Sequence, residues 1–133
     1  MRIVIDTNIA LDLLVFDDPD YASLLAALET GKLKWIATPA MREELARVLG
    51  YRLVAERLVR NGRDADGVLA AFDRHVLPLH EVPPRAPCVC SDPDDQIFVD
   101  LAVAQGARLL SKDRALLEMR KHLAVLGVQV SVQ

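Results

Sequence analysis

Residues 1–12, MRIVIDTNIALD, pass from one local pattern to another within a few positions. The branched apolar run Ile3-Val4-Ile5 predicts a short buried strand, and the apolar residues after Asn8 predict a helix. Between the two stands Asp6, an ionisable side chain at the very end of a strand. Asp6 either caps the next helix or is the first ligand of a metal site, and the rest of the chain has to decide between these interpretations.

The composition is typical of a soluble globular protein. The 133 residues are 52% apolar and 26% charged, which predicts a single domain over residues 1–133. No apolar run reaches transmembrane length and no signal-peptide pattern precedes the first strand, so we expect a cytoplasmic location. The net charge of −3 argues against a large basic nucleic-acid-binding face, although clustered carboxylates can hide a basic surface in that sum.

Strand and helix patterns alternate along the chain. The clearest helix is TPAMREELARVLG, with Thr38 as N-cap, Pro39 as the first helical residue and Gly50 just past the end. Strands separated by helices predict an α/β sandwich, a mostly parallel sheet covered on both faces. The predicted strands are residues 2–6, 34–38, 76–79, 107–111 and 127–132, and the predicted helices start near residues 8 and 21 or cover residues 39–49, 52–61, 64–76, 93–105 and 113–122.

Several carboxylates fall where strands of such a sheet would end. Ligands of open α/β sheets bind outside the carboxyl ends of the strands, and Asp6 and Asp113 follow two predicted strands. Asp92, Asp94 and Asp95 crowd the first turn of the helix that leads into the second of these strands. Each has a structural explanation when taken singly, because acidic residues cap helices and complement the helix dipole. Helix capping therefore remains the alternative for every one of them.

Glu44 is harder to explain by capping, because it lies in the middle of a helix. Met41, Leu45 and Val48 form the apolar stripe of that helix, and Glu44 is about 60° from Met41 on the helical wheel. Glu43 lies about 160° from Met41, on the solvent side. A carboxylate on a half-buried flank needs a partner, which is either an arginine or a metal ion.

Taken together, the acids predict a metal site. Asp6, Glu44, one residue of the cluster 92–95, and Asp113 come from four separate elements. Four converging carboxylates would repel one another unless a divalent cation neutralised them. Oxygen ligands without histidine or thiolate favour Mg²⁺ or Mn²⁺ over zinc, and such sites act in phosphoryl transfer or hydrolysis.

The series IVIDTN, TPAMREEL and DPDDQIFVDLAVAQGARLLSKDRALL resembles the PIN-domain nucleases over nearly the whole chain. It looks closest to the small single-domain members that are toxins of type II (VapBC-like) toxin–antitoxin pairs. No single piece is specific, whereas the four-part series is. The resemblance implies a three-layer α/β/α sandwich with a central, mostly parallel sheet.

The family pattern carries over residue by residue. Its strand-end aspartate matches Asp6, followed by the polar pair Thr7 and Asn8, and its mid-helix glutamate matches Glu44. Its third acid opens a helix with an alanine seven residues on, a register that fits Asp95 better than Asp92 or Asp94. Its fourth acid matches Asp113 in Ser111-Lys112-Asp113, where serine is a mild variation. The resemblance thus implies Asp6, Glu44, Asp95 and Asp113 as catalytic metal ligands, with Thr7, Asn8, Asp92 and Ser111 in support.

The implied activity is hydrolysis of RNA phosphodiester bonds by an Mg²⁺- or Mn²⁺-dependent endoribonuclease, leaving a 5′-phosphate and a 3′-hydroxyl. The implied partners are a separate antitoxin protein and a second copy of the chain in a homodimer. Lys112 and Arg114 flank Asp113 and are candidates to bind substrate phosphates. For the six arginines between residues 42 and 63, a solvated surface with local ion pairs is at least as good an explanation.

Two further classes of function compete with the nuclease. A phosphatase of the haloacid-dehalogenase type would need Asp-x-Asp at the first strand, where position 8 is Asn8, and a response-regulator receiver would need an acidic pair there. A catalytically silent PIN-fold module that binds RNA or protein remains the other alternative. The presence of all four acids argues against it.

Overall fold

One sheet of five parallel strands forms the centre of the computed structural model, which describes residues 1–133. Its strand order is β3-β2-β1-β4-β5, and every neighbouring pair is parallel. The strands are β1 (Arg2–Ile5), β2 (Lys34–Ala37), β3 (Val76–Pro78), β4 (Arg108–Leu110) and β5 (Val130–Ser131). The predicted parallel sheet is confirmed, with strands of two to four residues.

Eight α-helices and two short 3-10 turns connect the strands. The helices are α1 (Thr7–Leu14), α2 (Ala22–Glu29), α3 (Pro39–Leu49), α4 (Arg52–Arg60), α5 (Ala65–His75), α6 (Gln96–Gln105), α7 (Arg114–Leu117) and α8 (Arg120–Val125), and the 3-10 turns are Pro19–Tyr21 and Pro93–Asp95. No helix combines the length and the apolar character that crossing a membrane requires.

The strand order places the helices on both faces of the sheet. The chain moves from β1 outward to β3, then returns past β1 and continues through β4 to β5. Right-handed crossovers in the two directions put α1–α5 on one face and α6–α8 on the other. Contacts among α1, α3 and α5 agree with a shared layer. The result is the three-layer α/β/α sandwich of PIN-like folds that the sequence predicted.

Reversal of the strand order makes the gap between β1 and β4 a topological switch point, which is where open α/β sheets bind ligands. The backbone N–H of Asp6 donates to the carbonyl of Leu110 at 3.0 Å, so the two strand ends stay joined at the carboxyl edge. Residues that follow β1 and β4 are therefore neighbours in space, although about a hundred positions separate them in sequence.

The central strands that end at this edge are held in place by a fully apolar core. Ile3, Val4, Leu109 and Leu110 are completely buried in the two central strands. Trp35 of β2 packs edge-on against the ring of Phe72, with centroids 5.1 Å apart. Burial of such side chains is the main source of stability for a sheet of short strands. The acids beyond the strand ends thus stand on a rigid base.

Three predicted elements differ from the structure. The predicted helix over residues 113–122 is two short helices, because the N–H of Met119 bonds to the carbonyl of Leu116 three residues back and tightens the turn. The helix predicted to begin at Pro93 begins as a 3-10 turn and becomes α-helical at Gln96. The last strand covers only Val130–Ser131, which pair with Leu109 and Leu110 of β4.

A long loop, residues 79–92, joins β3 to the 3-10 turn before α6. Gln96, which is buried, accepts a bond from the N–H of Cys90 at 2.7 Å and donates to the carbonyl of Cys88 and to Asp100. Asp100 accepts the N–H of Ala86 at 2.9 Å. These bonds fasten the second half of the loop to α6, immediately before the acids at residues 92–95.

Candidate metal centre

Asp6 is both a helix cap and a member of the acidic site. Its Oδ1 accepts the N–H of Ile9 at 3.0 Å, and its Oδ2 accepts the hydroxyl of Ser111. Asp6 is therefore the N-cap of α1, which is one of the two interpretations that the sequence left open. The side chain is almost fully buried, and this burial raises the pKa of the carboxyl group. The two interpretations of the opening stretch are compatible, because a cap uses only one carboxylate oxygen.

Ser111 joins Asp6 to Asp113 at the end of β4. While its hydroxyl donates to Asp6, its oxygen accepts the backbone N–H of Asp113 at 2.9 Å. Asp113 in turn caps α7 by accepting the N–H of Ala115 at 2.9 Å. The fully buried Ser111 hydroxyl thus sets the position of one acid and the backbone of another.

Asp92 and Asp95 stand at opposite ends of the 3-10 turn. Asp92 caps the turn through the N–H of Asp94 at 3.0 Å, as the sequence predicted for this residue. Asp95 makes no side-chain capping bond, is only 8% exposed, and has a buried Oδ2 without any hydrogen-bond partner. Asp94 is exposed at the surface, so Asp95 is the acid that is directed into the interior from the end of this turn.

Three of these acids form a tight cluster, in which oxygens of Asp92, Asp95 and Asp113 all lie within 4.8 Å of one another. Burial raises the pKa of Asp95 to about 8, helped by the hydrogen bond it shares with Asp113 and by repulsion from Asp113, Asp92 and Asp6. A proton shared between two carboxyl groups is what such a cluster needs when no cation is present. We call Asp92, Asp95 and Asp113 the aspartate cluster.

The aspartate cluster fits a hard divalent cation. It offers carboxylate oxygens alone, and the unpartnered Oδ2 of Asp95 is a buried acceptor in need of a positive partner. Cys90 is a free thiol outside this group, and burial raises its pKa. The donor set therefore matches Mg²⁺ or Mn²⁺ better than zinc.

Glu44 lies beside the aspartate cluster without belonging to it. Its Oε2 accepts the hydroxyl of Thr7 at 2.8 Å, whereas Arg47 is 3.9 Å away and largely exposed. Burial raises the pKa of Glu44, and the charges of Asp94 and Asp92 add to the effect. The arginine that the sequence offered as a partner is thus a weak one, and a hydroxyl beside Asp6 is the closer contact.

Asn8 is exposed on the first turn of α1, directly after Asp6 and Thr7. Its amide makes no hydrogen bond within the chain, in contrast to Asp6 and Thr7. Of the residues assigned to support, Thr7, Asp92 and Ser111 contact or join the acids, whereas Asn8 remains available to a ligand.

A buried carboxylate that the sequence analysis did not single out lies close by. Asp12 is in the middle of α1, its side chain is 9% exposed, and its Oδ2 accepts the ammonium of Lys112. Near this pair, the hydroxyl of Tyr21 donates to the carbonyl of Val132 at 3.2 Å. A lone acid within the apolar run IALDLLV was the available signal, and it is the same signal that identified Glu44.

The two cations beside Asp113 have different surroundings. Lys112 is paired with Asp12 yet keeps 42% of its side chain exposed. Arg114 is almost fully exposed and bonds Glu118 one turn later, at 3.0 Å. Both remain candidates for phosphate binding, Lys112 from an ion pair with a buried carboxylate and Arg114 from an exposed ion pair.

Local contacts account for most of the arginines between residues 42 and 63. Arg42 forms a two-pronged ion pair with Asp73 at 2.9 Å, and Arg52 pairs with Glu56 at 3.2 Å. Arg63 donates to two backbone carbonyls of the α1 end, and Arg57 stacks over Phe16. This pattern is the solvated surface with local ion pairs that the sequence analysis offered as the alternative.

Comparison with known proteins adds two findings. The sequence model of the PIN domain matches residues 2–115 of the chain. The fold is similar to that of VapBC2 from Rickettsia felis, solved bound to a DNA fragment from its promoter, with a TM-score of 0.64 and 11% identity over 98% of each chain. At that identity the second likeness shows the fold alone. No curated protein matches the chain.

Proposed function

The chain belongs to the PIN domain family, and on that premise we propose that it is a metal-dependent endoribonuclease and the toxin of a toxin–antitoxin pair. The observation that carries the proposal is the aspartate cluster at the switch point of the sheet, with the unpartnered oxygen of Asp95 inside it. Burying an unpartnered acceptor among like charges costs free energy, and binding of a cation there would offset that cost.

Five acids are the proposed ligands or near neighbours of the ion. Asp92, Asp95 and Asp113 would hold Mg²⁺ or Mn²⁺ together with Asp6, which Ser111 joins to Asp113, and Glu44 completes the site from α3. When bound, the ion would offset the repulsion among these carboxylates, lower the pKa of water and stabilise charge on a phosphate. A cation would also displace the proton that Asp95 and Asp113 share.

The chain's own residues would hold these acids in place. The Ser111 hydroxyl fixes one oxygen of Asp6, and the Thr7 hydroxyl fixes one oxygen of Glu44. Glu44 stands outside the tight cluster and has a raised pKa, which suits a carboxyl group that accepts a proton from water. In this proposal Glu44 is the proton acceptor, and the aspartates are the ligands.

The substrate is proposed to be RNA, held through its phosphates by Lys112 and Arg114. Guanidinium and ammonium groups are the usual phosphate donors of proteins, and both residues flank Asp113. Hydrolysis would leave a 5′-phosphate and a 3′-hydroxyl. The amide of Asn8, which is exposed on α1 next to the acids, is a further donor that substrate would meet.

The proposed partner is an antitoxin protein, because VapBC2 of Rickettsia felis shares this fold. We also propose a homodimer and action in the cytoplasm, where RNA is available. Co-expression with the product of the neighbouring open reading frame tests the partner. Growth arrest by the chain alone and relief by the neighbour are the expected results, whereas growth that is insensitive to both would remove the toxin assignment and leave the nuclease assignment intact.

RNA cleavage with added Mg²⁺ or Mn²⁺ tests the activity. We expect cleavage to stop with EDTA, and Asp6→Asn or Glu44→Gln to lower the rate at least about a hundredfold. Glu43→Gln is the matched control, because Glu43 precedes Glu44 and is exposed to solvent. Cleavage by Asp6→Asn at the wild-type rate, or cleavage in EDTA, would overturn the metal mechanism.

A further inference from the structure

The ion pair of Asp12 and Lys112 is placed unusually for a surface lysine. Lys112 lies between Ser111 and Asp113, within the segment that delivers the acidic site, and its charge is felt by Asp6. Its ammonium turns away from these acids and bonds Asp12, which is in the middle of α1. Asp12 is buried, and its only ion-pair partner is the partly exposed Lys112.

Without Asp12, the same ammonium would have other carboxylates nearby. A lysine has a flexible four-carbon stem and a compact charge, so it pairs with the closest available anion. Asp6 interacts with the charge of Lys112, and Asp113 is the next residue in the chain. Both belong to a group of mutually repelling carboxylates, so an ammonium among them would relieve that repulsion. It would then occupy oxygens that a divalent cation needs.

We infer that Asp12 is a positioning residue that holds the Lys112 ammonium at the rim of the acidic site, off the metal-binding carboxylates and towards a phosphate of the substrate. The inference rests on the proposed nuclease function and deepens it. Asp12 touches neither substrate nor metal, and it acts entirely through Lys112.

The geometry allows Lys112 to pair with Asp12 and to bind a substrate phosphate at the same time. An ammonium has three donors, of which Asp12 takes one, and 42% of the lysine side chain is open to solvent. The other groups that act on this pair are Tyr21, Asp18 and Asp6. Asp18 caps the turn at Pro19 through the N–H of Asp20 and makes no ion pair with Lys112, so Asp12 is the acid that holds the lysine.

Binding of Mn²⁺ and cleavage of RNA by the full chain test the inference together. In Asp12→Asn the lysine is released, and we expect Mn²⁺ affinity to fall about tenfold and KM for RNA to rise. In Asp12→Asn with Lys112→Met no ammonium remains to compete, so Mn²⁺ affinity should return to within about twofold of wild type while KM stays high. Asp17→Asn is the matched control, because Asp17 pairs with Arg63 in the same part of the chain, away from the acids.

Rescue of metal binding by a second substitution separates positioning from a merely structural role. If Asp12 only stabilised the fold, the double variant would bind Mn²⁺ no better than the single one, and that result would overturn the inference. Lys112→Met alone gives an independent test if Asp12→Asn does not fold: Mn²⁺ affinity no lower than wild type is expected, with KM for RNA raised about tenfold.

The failures of the two proposals are distinguishable. A wild-type chain that neither binds Mn²⁺ nor cleaves RNA would overturn the nuclease and with it the role of Asp12. A wild-type chain that does both, with Asp12→Asn equal to it in Mn²⁺ affinity and KM, would overturn the role of Asp12 alone.

Discussion

The acids at the carboxyl edge fall into two groups that are held in opposite ways. Asp6 and Glu44 each accept a hydroxyl, from Ser111 and Thr7, and are fixed before any ligand arrives. Asp95, within the aspartate cluster, instead faces like charges and has an oxygen with no partner at all. The first group is preorganised, and the second stores repulsion that a cation would release.

This difference shows how one site combines precision with affinity. Hydroxyl donors orient a carboxylate without neutralising it, so they leave its charge for a ligand. Buried like charges raise the energy of the metal-free protein, so a cation that binds there also stabilises the fold. Destabilised groups of this kind are typical of functional sites, where activity is maintained at the expense of stability.

Substitution of Asp95 should have the largest effect on the site, because it removes the unpartnered carboxylate that distinguishes the second group of acids from the first. We expect Asp95→Asn to lower RNA cleavage by about 1,000-fold and, without metal, to raise the free energy of unfolding by about 1 kcal/mol, because repulsion is relieved. Cleavage assays and urea denaturation in EDTA measure the two effects. The control is Asp94→Asn, at the exposed neighbouring position, which should change neither. A variant of Asp95 that is active and no more stable would show that the cluster holds no cation.

The pH dependence of metal binding should be the next largest effect. The pKa of Asp95 is about 8 in the folded protein against 3.8 for the free group, so its contribution to stability is complete below about pH 4 and is lost as the pH rises to about 8. Metal must displace the shared proton, so Mn²⁺ affinity should increase nearly tenfold from pH 6 to pH 7 and less steeply as the pH reaches the pKa, which gives about fiftyfold from pH 6 to pH 8.

Calorimetric Mn²⁺ titrations across this range measure that slope. Asp95→Asn serves as the control, since its residual affinity should depend much less on pH. An equally flat profile for the wild-type chain would mean that the aspartate cluster is already ionised, contrary to the shared proton described above.

Loss of a hydroxyl donor should have the smallest effect and sharpens the other side of the comparison. Thr7→Val keeps the shape of the side chain and removes the bond to Glu44, so we expect cleavage to fall about tenfold with Mn²⁺ affinity little changed. Thr30→Val is the control, because the Thr30 hydroxyl bonds only to backbone carbonyls at the end of α2. A larger loss in metal affinity than in rate would place Glu44 among the ligands and not as the proton acceptor.

The sequence was sufficient for those parts of the fold that depend on local periodicity. The proline at the start of α3, the glycine after it and the flank position of Glu44 all follow from helix geometry, and the structure agrees with each. Thr38 occupies the predicted N-cap position, but its side chain makes no capping hydrogen bond. The ends of helices near Met119 and Asp95 did not follow, because the backbone there makes hydrogen bonds to the residue three positions back, and hydrophobic periodicity does not indicate such a tightened turn.

The partners of the acids were less accessible than the acids themselves. Asp6, Glu44 and Asp113 were proposed from position and pattern, and Asp95 was selected from the cluster 92–95 by the family resemblance. The roles of all four stay predictions that the experiments above test. The bond from Thr7 to Glu44 and the ion pair of Lys112 with Asp12 join residues 37 and 100 positions apart. No local pattern encodes such pairs, since they depend on how the sheet brings distant segments together.

The strand order also places the site where the two halves of the chain meet, between β1 and β4. A cut in the exposed stretch between Val82 and Arg85 would leave one fragment with β1–β3, Asp6 and Glu44, and another with β4, β5 and the aspartate cluster. The two fragments would meet along β1 and β4, directly under the acids. The bonds of Gln96 to Cys88 and Cys90 join the loop to α6 within the second fragment. The fold is thus suited to a split reporter, in which recovery of RNA cleavage would signal that two separately expressed halves have met.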